Sequence, residues 1–323
     1  MTEAQVENTW PTTLLLASPR GFCAGVIRAI DTLSVVQAQN PTNTTYSYHE
    51  IIHNTHVVGG FKQSGVKFVD EINQIPEGKT VVLSAHGVSP AIRKQAQNRG
   101  LRIVDATCPL VEKTHREALK YIRGNYTILY IGHAGHDETI GTLGEAPDKI
   151  KLIQTIRDAT TIEVPDEEKV ALITQTTLSQ GETEEIRNIL RKRFMKMVEP
   201  KQEDICYATQ NRQDGVRRMV ENGAQVVITV GSPNSSNSQR LREVTEDQGA
   251  IGILIDDASE LDPSIFFGVN CVGLTAGASA PDDKFQKVVD WFKARGSINI
   301  TGVVVADESR TIFTLPVQLR KSI

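Results

Sequence analysis

Three of the four cysteines occupy the same kind of position along the chain. Cys23, Cys108 and Cys206 each follow a short strand-like run and precede a stretch with the pattern of a helix. The intervals between them are each about the length of a small α/β domain. Burial in a core is the default role of a single free cysteine, but it does not account for three cysteines in equivalent positions. We therefore expect these three to share a chemical task.

Coordination chemistry narrows the group that three such thiolates would hold. Structural zinc usually has four protein ligands with paired Cys-x-x-Cys spacing, and this chain has no such pair. A lone cysteine nucleophile would leave two of the three positions unexplained. A 4Fe–4S cluster fits better, because three cysteines leave one iron open for a substrate. Cys271 lies in the apolar run Val-Asn-Cys-Val and is expected to be a core residue.

Polar residues that end the strand-like runs form a second candidate set. His53, His86 and His136 each close such a run, whereas His115 lies within a helical stretch and is expected on a solvated face. Hydroxyl and amide side chains later in the chain complete the set: Ser235, Ser236, Asn237 and Ser279. A single histidine at a strand end is often only structural, but together these donors suit the oxygens of a diphosphate. Neither a Walker sequence nor G-x-G-x-x-G occurs, which argues against nucleoside triphosphates and nicotinamides.

Glu138 is the acid singled out in the polar tip that follows the run Tyr-Thr-Ile-Leu-Tyr-Ile. An acid in that place is also consistent with a surface position or a helix cap. Beside an open iron, its carboxyl group would relay the protons that turn a hydroxyl group into leaving water. Thr176, at the end of a later strand-like run, would orient the same hydroxyl group, although such threonines are often only caps.

The elements that must position these residues alternate between short β-rich runs and helical stretches. This alternation predicts an α/β fold with mostly parallel sheets, in which ligands bind beyond the carboxyl ends of the strands. We expect three similar small α/β units, at residues 1–107, 108–205 and 206–296, followed by a C-terminal strand and tail at residues 297–323. Packed edge to edge, the three units would bring the cysteines and polar tips around one central cavity.

Composition excludes several classes of partner. Of the 323 residues, 23% are charged and the formal net charge is only −4, so neither a nucleic-acid groove nor a membrane surface is expected. The N-terminal residues carry acids where a signal peptide has lysine or arginine. No segment approaches the roughly 20 apolar residues of a membrane-spanning helix. We therefore expect a cytoplasmic protein.

Nine motifs, in this order, closely resemble those of one enzyme family. They are RGFCAGV, HEIIHN, SAHGVS, DATCPLV, GHAGH-x-E, TQTTLS, DICYAT, GS-x-NSSNS and TAGASAP, and they extend from about Leu14 to about Pro281. The family is that of the 4-hydroxy-3-methylbut-2-enyl diphosphate reductases, also called LytB or IspH. The resemblance implies a pseudo-threefold trefoil of three α/β units around a cavity that contains the cluster.

The resemblance also implies a reaction and a role for each candidate residue. The allylic hydroxyl group of the diphosphate substrate would bind the open iron, and two electrons and two protons would release water to give isopentenyl and dimethylallyl diphosphates. Matched by motif, Cys23, Cys108 and Cys206 would hold the 4Fe–4S cluster, and Glu138 would be the proton source, assisted by Thr176. His53, His86, His136, Ser235, Ser236, Asn237 and Ser279 would bind the diphosphate. A ferredoxin or a flavodoxin would supply the electrons.

Two readings from other classes remain open at this point. A non-catalytic iron–sulfur sensor would share the cluster and use the pocket to bind a regulator. A mononuclear zinc or iron hydrolase would use the histidines at positions 53, 86 and 136 and would leave the three cysteines without a role. The first dozen residues and the tail after Thr311 lie outside the shared motifs, and no function is assigned to them.

Overall fold

The computed structural model describes residues 10–320, in which strands and helices alternate as expected. The strands are β1 Thr13–Ser18, β2 Tyr46–Tyr48, β3 Lys67–Val69, β4 Thr80–Leu83, β5 Arg102–Asp105, β6 Thr127–Ile131, β7 Ile150–Ile153, β8 Val170–Thr174, β9 Val226–Val230, β10 Ile251–Ile255, β11 Cys271–Ala276 and β12 Asn299–Val304. Residues 1–9, whose composition entered the sequence argument, lie outside the described part of the chain.

Helices follow most of the strands. They are α1 Ala24–Gln39, α2 Thr55–Gln63, α3 Pro90–Asn98, α4 Pro109–Arg123, α5 Asp137–Leu143, α6 Ile156–Thr161, α7 Gln180–Arg193, α8 Tyr207–Glu221, α9 Ser236–Asp247, α10 Asp282–Lys293 and α11 Val317–Arg320. Short 3₁₀ helices span Ile72–Gln74, Ala258–Glu260 and Pro263–Phe266. Between residues 10 and 320, none of the helices has the length and apolar character needed to cross a membrane.

All strand pairing between the named strands is parallel, and the strands form three sheets. The predicted α/β class with parallel sheets is thereby confirmed. The described chain divides into two compact units. Unit I comprises residues 10–23, 53–55 and 207–311, and unit II comprises residues 24–52, 56–206 and 312–320.

Unit I contains a five-stranded sheet in the order β10-β9-β11-β1-β12. Its inner strand β9 is apolar except for Thr229, because both faces of the sheet are covered. Val226, Ile228 and Val230 pack into one hydrophobic cluster with Phe292, and Val227 packs into a second cluster on the other face. A parallel sheet of this kind brings all its strand ends with their following loops to one edge.

The position of β1 differs from the predicted one. This strand lies within the predicted unit of residues 1–107, whereas its partners β11 and β12 lie far along the chain. The C-terminal strand β12, which the sequence left without a partner, forms the edge of the same sheet. Parallel pairing joins segments through long crossovers, so local sequence carries little information about the partner. The bounds of the three predicted units stay predictions.

Unit II contains two sheets, β3-β2-β4-β5 and β7-β6-β8. Alternate residues of β6 again enter separate hydrophobic clusters: Leu129 and Ile131 pack on one face, and Ile128 and Tyr130 on the other. The C-terminal segment joins this unit, where Arg28 of α1 donates from Nε to the carbonyl oxygen of Thr314 at 2.9 Å. The tail that the sequence could not place is thus held to α1.

Candidate active site

Each of the three candidate cysteines lies immediately before the first residue of a helix. Cys23 precedes α1, Cys108 precedes α4 and Cys206 precedes α8. The predicted strand-to-helix position is therefore confirmed for Cys23, which follows β1, and for Cys108, which follows β5. For Cys206 it is wrong, because the element before α8 is helix α7 and no named strand lies between them. All three residues are only partly buried. Negative charge is favoured at the start of a helix, where peptide N–H groups lack partners, so these positions suit thiolate ligands.

Main-chain hydrogen bonds fix two of these cysteines in unit II. The N–H of Cys108 donates to the carbonyl oxygen of Ala85 at 2.9 Å, and the N–H of Cys206 donates to that of Thr176 at 3.0 Å. Cys108 is thereby joined to the loop that carries His86. Cys206 is joined to the loop that carries Thr176, which is predicted to be catalytic. In each case the loops follow parallel strands of unit II.

In unit I, the ends of three neighbouring strands collect most of the predicted hydroxyl and amide donors. Cys23 follows β1, Ser279 follows β11, and Ser235 and Asn237 follow β9, with β11 between the other two strands. The hydroxyl of Ser279 lies 3.3 Å from that of Ser235 and donates to the carbonyl oxygen of His53 at 3.0 Å. The N–H of Ala278 donates to Oδ1 of Asn237 at 2.8 Å, so the amide NH₂ group of that residue remains the donor.

Ser236, also predicted to bind the diphosphate, is the first residue of α9 and is half-buried. The helix is capped by its neighbour Ser235, whose hydroxyl accepts from the N–H of Ser238 at 3.4 Å. Both serines therefore lie at the point where the chain leaves β9 and turns into α9. At the start of a helix such as this one, backbone N–H groups lack intrahelical partners and favour an anion.

The short segment of residues 53–55 belongs to unit I because Thr55 fastens it there. The N–H of Thr55 donates to Oγ of Ser232 at 3.1 Å, and its hydroxyl donates to the carboxylate of Asp256. Ser232 in turn donates to the same carboxylate at 2.7 Å. This network holds the segment of His53 beside the β9 end of the sheet.

A buried ion pair supports the loop of Cys23. Gly21 has a φ of +64°, a left-handed value that favours glycine, and an added Cβ would lie 3.2 Å from the carbonyl oxygen of Ala280. Arg212, fully buried on α8, donates from Nη2 to the carbonyl oxygen of Gly21 at 2.6 Å. Its Nη1 lies 3.0 Å from Oε1 of Glu308. The approach of the chain to Cys23 is thus held in one conformation.

In unit II, Glu138 and Thr176 form a buried pair. Glu138 is only 1% exposed and Thr176 only 4%. Thr176 donates its N–H to Oε1 of Glu138 at 2.7 Å and its hydroxyl to Oε2 at 2.9 Å. Burial raises the pKa of Glu138 to about 7, although the two hydrogen bonds from Thr176 oppose this rise. Near neutral pH this carboxyl group is therefore divided between its acid and base forms.

His136 precedes α5 and acts as its N-cap. Its Nδ1 accepts a hydrogen bond from the N–H of Glu138 at 3.2 Å. A neutral ring that accepts at Nδ1 carries its proton at Nε2, so His136 presents an N–H donor away from the helix. Its ring contacts that of His86 edge to face, with 5.8 Å between the centroids. Two of the predicted diphosphate-binding histidines are thus adjacent.

Sequence reasoning missed two residues beside these histidines. His49 and Asp137 form an ion pair, with 2.7 Å between Nδ1 and Oδ1, and Asp137 also faces His86. Both lie in motifs quoted above. His49 is the first residue of HEIIHN, and Asp137 is the variable residue x of GHAGH-x-E. An acid directly before Glu138 was a usable signal, but nothing local connected it with a histidine 88 positions earlier.

One expectation about a histidine was wrong. His115, expected on a solvated face, is only 8% exposed, and its Nδ1 lies 2.8 Å from Oε1 of Glu145. It occupies the buried side of α4, in line with Val111 and Ala118. That i, i+4, i+7 spacing marks the apolar face of a helix, so the sequence contained the signal.

Cys271, predicted to be a core residue, is the first residue of β11 and packs against the cluster that contains Met219. It is partly buried, and this burial raises the pKa of its thiol. Unlike the three candidate cysteines, it lies at the start of a strand, at the opposite end from the loops that carry the polar residues.

The chain is similar to a known family and to curated proteins over most of its length. The family model described as LytB protein matches residues 14–293. A curated 4-hydroxy-3-methylbut-2-enyl diphosphate reductase of Rhodopirellula baltica is 47% identical over 311 residues, which is 96% of this chain and 96% of that protein. A reductase of the same name from Mycobacterium leprae is 46% identical over 98% of this chain and 95% of that protein.

A solved structure is also similar over nearly the whole chain. The E-1-hydroxy-2-methyl-but-2-enyl-4-diphosphate reductase from Plasmodium falciparum superimposes with a TM-score of 0.92 and is 33% identical. The match covers 95% of this chain and 96% of that one. At this identity and TM-score the two chains share a fold, in agreement with the α/β class expected from the sequence.

Proposed function

The chain belongs to the LytB protein family, and on that basis we propose that it is a 4-hydroxy-3-methylbut-2-enyl diphosphate reductase, the enzyme of the last step of the non-mevalonate isoprenoid pathway. In this reaction the allylic C–O bond breaks, two electrons and two protons are taken up, a C–H bond forms and the hydroxyl group leaves as water. The products are isopentenyl and dimethylallyl diphosphate.

The observation that carries the proposal is the buried Glu138–Thr176 pair. A hydroxide ion is a poor leaving group, so the reaction needs an acid that is protonated at neutral pH and protected from water. Burial gives Glu138 a pKa of about 7, as this task requires. A non-catalytic sensor, which would use this pocket only to bind a regulator, would not need such an acid.

The hydrogen bonds of Thr176 direct the proton. Its N–H occupies Oε1 of Glu138, which leaves Oε2 as the site that is protonated in the acid form. Oε2 faces the hydroxyl of Thr176, so this hydroxyl accepts the proton of Glu138 while it donates its own to an oxygen on its other side. We propose that this oxygen is the leaving hydroxyl group of the substrate.

We propose that the diphosphate is bound by imidazole, hydroxyl and amide donors. They are His53, His86, His136, Ser235, Ser236, Asn237 and Ser279. Within unit I, three of these side chains lie together at the ends of β9 and β11. A phosphate group favours convergent donors of this kind.

Family membership implies an iron–sulfur cluster, and we assign to it the 4Fe–4S form held by Cys23, Cys108 and Cys206 with one iron open. The three cysteines fit that group, because each is partly exposed and placed before a helix of at least 15 residues. When bound, such a cluster supplies electrons one at a time and an open coordination position. A small electron carrier such as a ferredoxin or a flavodoxin would deliver the electrons.

An anaerobic assay with a one-electron dye tests the proposal. The protein, with its cluster reconstituted, is mixed with reduced methyl viologen and (E)-4-hydroxy-3-methylbut-2-enyl diphosphate. We expect two molecules of dye to be oxidised for each substrate consumed, and both isomeric diphosphates to appear by mass spectrometry. Phosphate release without dye oxidation would instead indicate the hydrolase, and binding without either reaction would indicate the sensor.

A further inference from the structure

Asp137 lies between two histidines of unit II. Its Oδ1 is 2.7 Å from Nδ1 of His49, and its Oδ2 is 3.8 Å from Nδ1 of His86. The exposed fraction of the side chain is 24% for His49, 17% for Asp137 and 15% for His86. The carboxylate is thus hydrogen-bonded to His49 and lies close to the buried Nδ1 of His86, beyond hydrogen-bond distance, in a largely enclosed place. These three residues are called the His49–Asp137–His86 group below.

The outer histidine of this group is held firmly. His49 follows β2 with a φ of +57°, and its N–H donates to the carbonyl oxygen of Val69 at 2.9 Å. The hydroxyl of Ser47 donates to the carbonyl oxygen of His49, also at 2.9 Å. Its ring stacks on that of Tyr48 with 4.2 Å between the centroids and an interplanar angle of 19°. His49 therefore provides a fixed anchor for the carboxylate.

The proposed diphosphate site requires positive charge, and the His49–Asp137–His86 group can supply it. A diphosphate is a multiply charged anion, yet the residues proposed to bind it include no lysine or arginine. A carboxylate that faces Nδ1 of a histidine favours the doubly protonated ring, whose Nε2–H then donates as part of a cation. Two protonated histidines and one carboxylate leave a net positive charge.

His136 and His86 differ in what lies next to their Nδ1 atoms. His136 uses Nδ1 to accept from the N–H of Glu138, so it donates from a neutral ring. His86, whose ring contacts His136, instead has a carboxylate facing its Nδ1. For His49, the hydrogen bond to Asp137 raises the pKa of the imidazole, and Asp70 adds to the rise while burial opposes it.

We propose that Asp137 is a positioning residue for diphosphate binding: anchored by His49, its nearby negative charge favours the cationic, doubly protonated ring of His86 as a donor. This inference depends on the proposed reductase function. It assigns to two residues, His49 and Asp137, a part in substrate recognition that the motifs did not indicate. The proton source Glu138 has a separate part, since it acts on the hydroxyl group at the other end of the substrate.

Asp137→Asn tests the proposal because it keeps the shape of the side chain and removes its charge. We expect KM to rise about tenfold, the loss of one charge-assisted contact, with kcat changed less than threefold. Inorganic pyrophosphate, used as a competitive inhibitor, should bind more weakly by a similar factor. The matched control is Asp148→Asn, which makes the same change at an exposed turn residue and should alter neither constant.

The pH dependence of pyrophosphate inhibition separates a charge role from a purely structural one. Within unit II, the titratable groups near His86 include Asp137 and His136, and those near His49 include Asp137 and Asp70. In the unchanged protein, inhibition should weaken as pH rises and the imidazole of His49, whose pKa Asp137 raises, loses its proton. In Asp137→Asn this loss should move to lower pH, whereas a structural defect would weaken inhibition equally at all pH values.

His49→Asn supplies a second variant, because asparagine tolerates the left-handed backbone and cannot reach Asp137 in the same way. It should raise KM in the same direction by about threefold, and it decides the question if Asp137→Asn does not fold. Unaltered KM and inhibition in both variants, with an active unchanged protein, would overturn this inference alone. Absence of reductive turnover in the unchanged protein would overturn both this inference and the proposed function.

Discussion

Thr176 donates two hydrogen bonds to the carboxyl group of Glu138, one from its N–H at 2.7 Å and one from its hydroxyl at 2.9 Å. The two oxygens of the acid are therefore distinguished: one faces the main chain and the other faces a hydroxyl group that can pass a proton on. Because the pair is buried, water does not compete for either oxygen. A general acid of defined direction results from a single neighbouring residue.

Glu138→Gln should abolish proton donation while it preserves the shape of the pocket. Turnover is expected to fall about a hundredfold or more, which is the usual effect of losing a general acid. Iron content and substrate affinity should remain within about twofold of the unchanged protein. Anaerobic dye oxidation measures the rate, and Glu167→Gln at an exposed position is the matched control. Unchanged turnover would remove Glu138 from the mechanism.

Thr176→Val should interrupt the same proton path at the next atom. The main-chain N–H that donates to Oε1 remains, but the hydroxyl that faces Oε2 is lost. We expect kcat to fall about tenfold to a hundredfold. Combined with Glu138→Gln, it should cause little further loss, because both changes act on one step. If the fold-losses in kcat of the two single variants multiply in the double variant, the two residues act separately.

Glu138 should also make the stability of the folded chain depend on pH. Its pKa is about 7 in the folded protein against an ordinary value of 4.5, so the folded state holds the proton more tightly than the unfolded state. The associated stability is present below about pH 4.5 and is lost as pH rises through about 7, by up to about 3 kcal/mol. Urea unfolding of the unchanged protein and Glu138→Gln between pH 5 and pH 8 should show this difference in slope. Parallel pH dependence in both proteins would contradict it.

Cys271→Ala should retain the cluster and cost only packing stability, about 1 kcal/mol. Cys271 begins β11 and packs against Leu15 and Met219, away from the loops at the other end of the sheet. Cys23→Ala is the matched comparison, and it should lose most of the iron. Iron per chain after anaerobic purification distinguishes the two variants. Loss of iron in Cys271→Ala would show that the wrong three cysteines had been assigned.

Glu308→Ala should strongly destabilise unit I. Arg212 is fully buried, and without Glu308 its charge would lose its partner, a change that typically costs about 3 kcal/mol or more. Glu221→Ala breaks an exposed ion pair with Arg218 in the same unit and should cost about 0.5 kcal/mol or less. Urea unfolding measures both. Equal effects would mean that the buried pair is not the support inferred for the Cys23 loop.

Local sequence was sufficient to place the chemistry-bearing residues on their elements. Cys23 and Cys108 lie where a strand is followed by a helix, and such junctions can be predicted from periodicity within a short window. For Cys206 only the helix that follows it was predictable, because the segment before it is not a strand. The polar tips follow their strands as expected, because strand ends are marked by a change from apolar to polar residues. Glu138 and Thr176 were predicted separately, and the structure shows that they are bonded.

The relationships between distant segments were not accessible in this way. The pairing of β1 with β11 and β12 joins the two ends of the chain, and no local pattern specifies such a partner. The contact of His49 with Asp137 is of the same kind. His115 is a different case, because its spacing from Val111 and Ala118 placed it on the buried face of α4. That error came from treating a histidine as polar regardless of its helical position.

The amounts of iron and acid-labile sulfide per chain, measured on anaerobically purified protein with its visible spectrum, test the central claim most directly. Reductive removal of a hydroxyl group by this chain requires the cluster that its three cysteines are proposed to hold. We predict near-equal amounts that approach about four of each. Zinc, or about one metal per chain without sulfide, persisting after anaerobic reconstitution, would contradict the account and leave the three cysteines with another role.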